Sequence, residues 1–96
     1  MSAREELIQA MKTRLDEWNK SIDELEAQAE KVEADAKIKL QEQLQELKKQ
    51  RDSARNDLRD LQSAGSEAFE DMKDGLEQAW KSINDSFRSA LTRFKD

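Results

Sequence analysis

The side chains best equipped for chemistry in this sequence are its 22 carboxylates, set among 17 Lys and Arg, with no His and no Cys. Without imidazole or thiol, a Ser–His or Cys–His relay cannot be assembled, and soft-metal ligand sets are absent. Carboxylates remain as general acids or bases, but their placement is poor. Glu5-Glu6 and Asp23-Glu24 are adjacent in sequence, so on a helix they point in different directions. A dimetal bundle needs inward Glu residues with a Glu-x-x-His motif, which a His-free chain cannot supply. No phosphate-binding glycine loop, EF-hand loop or dinucleotide fingerprint occurs. The expectation is a protein with no catalytic, cofactor or metal site.

Two large aromatics, Trp18 and Trp80, are the other residues with functional potential. Each falls on an apolar helical stripe, which makes it a core anchor in the first instance and a hot spot for a partner protein in the second.

The elements that carry these residues are helices. The composition is 41% charged, with no Pro, two Gly, one Val and two Thr. Such a chain lacks both the β-branched residues of strands and the turn dipeptides of hairpins. Apolar positions Ile8, Met11, Leu15, Trp18, Ile22, Leu25, Ala29, Val32 and Ala36 alternate at spacings of 3 and 4. This is a heptad seam, and a strand would need period two. Ser2 stands three residues before Glu5, the spacing of a capping box.

Between Val32 and Leu44 the pattern slips to 4, 4, 4 through Ala36 and Leu40. No breaker accompanies the slip, so the spacing predicts a continuous helix with locally relaxed supercoiling. The heptad resumes as Leu44, Leu47, Arg51, Ala54, Leu58 and Leu61. Arg51 on the seam is a register device, a partner for a neighbouring carboxylate, or a long stem with its head in water, and the last is favoured. Residues 63–66, Ser-Ala-Gly-Ser, predict a helix end. Gly65 is suited to the left-handed conformation and Ser66 to capping the next helix. A last amphipathic helix follows, with Phe69, Met72, Leu76, Trp80, Ile83, Phe87, Leu91 and Phe94 on one face.

The expected architecture is all-α. It is a single coiled-coil domain over 1–96, with a long helix at about 3–62, a break at 63–66 and a shorter helix at about 66–95 folded back as a helical hairpin. A helix over 3–62 is about 90 Å long, and the returning helix about 45 Å. The seam of Ile8, Met11, Leu15, Trp18, Ile22, Leu25 and Val32 is then bare, and a bare stripe calls for a partner. Residues 1–35 carry net charge −5 and residues 36–62 carry +2. These blocks match in an antiparallel homodimer and repel in a parallel one. On exposed faces Asp16–Lys20, Glu33–Lys37, Asp35–Lys39 and Glu77–Lys81 have the favourable i,i+4 order.

The face of Leu76, Trp80, Ile83, Phe87, Leu91 and Phe94 is the candidate surface for a partner or a lipid interface. Lys81, Arg88, Arg93 and Lys95 supply basic residues on its polar side. Packing of this face on the first helix is the favoured reading. A net charge of −5 argues against nucleic acid. Without a signal-peptide core or a membrane-length apolar run, a cytoplasmic protein is expected.

The opening Met1-Ser2-Ala3-Arg4-Glu5-Glu6, the block Leu15-Asp16-Glu17-Trp18-Asn19, the stretch Ala34-Asp35-Ala36-Lys37-Ile38 and the closing Gln78-Ala79-Trp80 with Phe87 resemble a family of small uncharacterised bacterial coiled-coil proteins. The likeness covers nearly the whole chain. It implies a bacterial, helical, cytosolic protein and supplies no activity. The last thirty residues bear a weaker likeness to apolipoprotein-type amphipathic helices. Expected functions are therefore self-association with protein–protein contact as a scaffold or adaptor, reversible lipid-surface binding by the C-terminal helix, or stress protection by a highly charged helical chain.

Overall fold

In the computed structural model, which describes residues 2–93, the chain forms three helices. They are α1 (Ala3–Ala29), α2 (Ala34–Ser63) and α3 (Ser66–Arg93). The fold is all-α. Each helix is about 40–45 Å long at 1.5 Å per residue, and the molecule measures 50 × 21 × 17 Å. Helix α2 runs antiparallel to α1, with Arg4 against Leu61 and Glu26 against Lys48. Helix α3 runs parallel to α1, with Arg4 over Phe69 and Trp18 bonded to Asn84.

Helix α1 starts as its sequence dictates. Ser2 accepts a bond from the Glu5 amide at 3.1 Å, satisfying one of the free amides of the first turn. Its end corrects the expectation of one helix over 3–62. The chain leaves helical geometry after Ala29 and re-enters it at Ala34. Lys31 N–H bonds back to Gln28 at 3.0 Å to close α1, and Lys37 N–H bonds to Glu33 at 2.7 Å to open α2. No glycine, proline or positive φ makes this turn. Tertiary burial makes it. Folding α2 back covers Trp18, Ile22 and Leu25, each worth about 1.5–3 kcal/mol when removed from water. That sum exceeds the cost of a few lost helical bonds at about 1 kcal/mol each. The slip at Val32, Ala36 and Leu40 is thus the footprint of a turn and not of relaxed supercoiling.

The second break lies at 64–65, inside the expected span, but by a different mechanism. Gly65 has no positive φ. Ala64 is extended (φ −72°, ψ 143°), and its N–H bonds to Leu61. Ser66 is the first residue of α3, while Gly65 occupies the capping position with its carbonyl accepting from Phe69 N–H at 2.8 Å. Gly is tolerated there.

One core runs the length of the bundle. Met11, Leu15, Trp18, Ile22 and Leu25 are buried against Leu40, Leu44, Leu47, Leu58 and Leu61 of α2 and Phe69, Trp80 and Phe87 of α3. Ile8 and Val32 are half-buried beside them. The seam expected to seek a second copy is therefore covered within one chain, and the bare stripe that called for a twin does not exist in this fold. The i,i+4 pairs expected on exposed faces are not formed among the described residues. Ion pairs formed instead include Glu26–Lys48, Arg51–Asp52, Asp52–Arg55 and Glu70–Lys73. Exposed pairs contribute too little to hold two long side chains in one geometry.

Gly75 lies inside α3, and a Cβ built there meets nothing within 4 Å. Gly75→Ala is expected to raise unfolding free energy by about 0.5–1 kcal/mol. Urea titration checks this, and an unchanged or lowered midpoint would contradict an open helical site.

Candidate functional site

Two constellations stand apart from the apolar core. The first is at the end of the bundle where α1 begins and α2 ends. The last turn of α2 holds no basic residue to offset its exposed carbonyls. Arg4, in the first turn of α1, supplies the charge from outside. Its Nη2 donates to the carbonyls of Leu61 (3.3 Å), Gln62 (3.1 Å) and Ala64 (2.6 Å). Its guanidinium also lies 5.1 Å over the Phe69 ring, a cation–π geometry. One side chain thus ties α1 to the α2–α3 joint. A cation in the first turn of a helix is unfavourable to that helix, and this misplacement was the one sequence signal that Arg4 serves another element.

The second constellation is an aromatic cluster under a groove between α1 and α3. Trp18 stacks on Phe87 (centroids 5.4 Å, planes 3° apart) and lies tilted against Trp80 at 5.1 Å. Trp18 Nε1 donates to Asn84 Oδ1 at 3.3 Å. Trp80 Nε1 is buried and has no acceptor among the described residues. Above the cluster one stretch of groove, about 740 Å³, is lined by Leu7, Met11 and Trp80. A second, about 670 Å³, is lined by Trp18, Phe87 and Leu91. Ala10, Arg14, Asn84 and Arg88 line both, so the two are continuous. The small Ala10 side chain leaves space that a larger residue would fill. Asp74, Glu77, Lys81 and Asp85 complete a rim of mixed charge.

The residues singled out in the sequence are distributed as follows. Trp18 and Trp80 are both core anchors, 1% and 2% exposed. The candidate partner or lipid face is the packing face of α3. Trp80 and Phe87 are buried, while Leu76, Ile83 and Leu91 are half-buried against the core. Phe94 lies outside the described residues. Arg51 does not hold its head in water. Nη1 donates to Asn19 Oδ1 across the α1–α2 interface at 3.1 Å, and Nε donates to Asp52 at 3.1 Å. It is a cross-helix tie, because a desolvated guanidinium at a seam position needs its donors satisfied. Trp18–Asn84 and the groove left no local signal, since the partners are 66 residues apart.

Partial burial, then the neighbouring Asp60, pushes the Asp57 carboxyl up from its ordinary range. The hydrogen bond to Glu70 holds Lys73 above the usual lysine value. Among the described residues no three carboxylates converge to hold a metal. No helix among them is long and apolar enough to cross a membrane. Comparison of the chain with protein-family models, with curated proteins and with solved structures finds no match.

Removing the Arg4 head group while keeping its stem, in Arg4→Met, is expected to lower stability by about 1.5–3 kcal/mol. Arg4→Lys should recover only part of this, since an ammonium has no planar face to lie over the Phe69 ring while it donates to the carbonyls. Equal denaturation midpoints for Arg4→Lys and the parent would contradict the clamp. The two indoles offer a matched comparison. Trp18→Phe loses a made hydrogen bond, whereas Trp80→Phe removes a donor that has none. Trp18→Phe should therefore be the more destabilising by about 1 kcal/mol, again read from chemical denaturation.

Proposed function

We propose that the chain is a non-enzymatic helical bundle that acts through protein–protein contact, as a small scaffold or adaptor. Its contact surface in this reading is the α1–α3 groove, and the occupant is an amphipathic helix of the partner. The observation that carries the reading is where apolar surface remains open. Ile38 is the one exposed large apolar side chain among the described residues. The groove, by contrast, presents half-buried Leu7 and Leu91 and exposed Ala10 between charged rims, above buried Met11 and Trp80. A fourth helix laid there completes a four-helix arrangement by helix-in-groove recognition. The rim carries both signs, so the partner stripe is expected to be flanked by both. A bacterial, cytoplasmic setting follows in this reading from the sequence resemblance.

The test fills the groove. In Ala10→Trp a large ring occupies the space that both stretches share, on an exposed helical position. A protein recovered from the native cell on the parent chain, then purified, should bind the parent directly and bind Ala10→Trp at least tenfold more weakly. Glu42→Lys, on α2, should bind as the parent does. Equal affinity of the parent and Ala10→Trp would exclude the groove.

Lipid-surface binding is the second reading, favoured by the concentration of Phe69, Trp80 and Phe87 on one face of α3. In this fold it requires α3 to leave the bundle, because that face is already buried. Co-flotation with anionic vesicles accompanied by a changed Trp emission supports it. Flotation with unchanged emission indicates surface adsorption of the closed bundle.

A further inference from the structure

We infer that α1 is an exchangeable arm: the same α1–α2 surface that closes one molecule also joins two copies, with α1 of each packed on α2 of the other. The inference is independent of the groove. It starts from the contrast between the two joints. The α2–α3 joint carries a glycine, Gly65, and is tied by a side chain of another helix, the Arg4 clamp on its carbonyls. Nothing local specifies the joint over residues 30–33. It reads Glu-Lys-Val-Glu, residues that all accept a helix interior, and none has a positive φ. Glu30 already has helical dihedrals (φ −76°, ψ −18°), and Glu33 gives α2 no side-chain cap. Beyond the backbone bonds of Lys31 to Gln28 and Lys37 to Glu33, the burial of α1 on α2 holds this turn.

Those backbone bonds are kept or replaced by helical ones on straightening, so the turn opens without loss when a second copy supplies the same burial. Straightening residues 30–33 restores the helical bonds that the turn interrupts and makes one helix over 3–63. Two such helices, antiparallel, place α1 of each along α2 of the other. Every specific α1–α2 contact is then re-formed between copies: Glu26 with Lys48, Asn19 with Arg51, and Arg4 with the carbonyls ending α2. The acidic block 1–35 again meets the basic block 36–62. Where the two straightened joints cross, the seam residues are Ala29, Val32 and Ala36, small enough for close approach. Exchange of an identical element through a hinge is a low-cost route to a dimer. Mass action alone decides between the closed and exchanged forms.

The chain has no Cys, so single thiols report the arrangement cleanly. Glu26→Cys and Lys48→Cys are made in separate chains, mixed, unfolded in urea, refolded at high concentration and treated with a short thiol–thiol cross-linker. A covalent species joining one chain of each kind is the expected product, together with a dimer by light scattering whose fraction rises with concentration. Adding Ala34→Pro to both chains should abolish that product. Proline suits the first position of α2 and the extended Glu33 before it, but it is excluded from the interior of a continuous helix. A chain lacking residues 30–33 cannot make the turn and should be dimeric at every concentration where it is helical. Absence of the mixed product, its survival with Ala34→Pro, or a helical monomer of the shortened chain would each overturn the inference.

Discussion

Covering the apolar stripe of α1 is the constraint on which the rest of this structure depends. Met11, Leu15, Trp18, Ile22 and Leu25 occupy little more than one side of a helix whose remaining surface is charged. That side is too wide for a single neighbour of similar length, and α2 and α3 close on it from two directions. The cost of leaving it in water decides the turn after Ala29, the antiparallel path of α2 and the parallel return of α3. Hydrogen bonds and charges then choose among arrangements that burial has already made favourable. Arg4 sets the end-to-end register, Arg51 sets the α1–α2 register through Asn19, and Trp18 sets α3 through Asn84.

The division of labour explains which features were legible in the sequence. Those encoded locally were readable: the cap at Ser2, the heptads of Ile8–Ala29 and Leu44–Leu61, the break near Gly65 and the apolar face of α3. Those arising from competition between distant segments were not. The turn at residues 30–33 has ordinary helix-forming residues, and the only trace of it is the phase slip at Ala36 and Leu40. A slip of that kind is equally compatible with a long, gently unwound helix. Which of the two forms depends on what else is available to cover Trp18, and local spacing holds no information about that. Arg51 was misjudged for the same reason, since Asn19 lies on another helix.

The groove between α1 and α3 follows from the same competition. Three helices meeting along one line leave outer clefts, and the cleft beside Ala10 lacks a side chain large enough to close it. Its floor holds the Trp80 indole N–H, which has no acceptor among the described residues, although its neighbour Trp18 has found one in Asn84. The proposed contact with a partner helix rests on this cleft and not on the core.

The indoles of Trp18 and Trp80 lie close enough, at 5.1 Å between centroids, for their excited states to couple. Their common near-ultraviolet dichroism therefore reports the spacing of α1 from α3. Because the chain has no other Trp and no Tyr, that optical signal is undiluted. It makes the molecule its own ruler for departures of the third helix, on any timescale a spectrometer can follow.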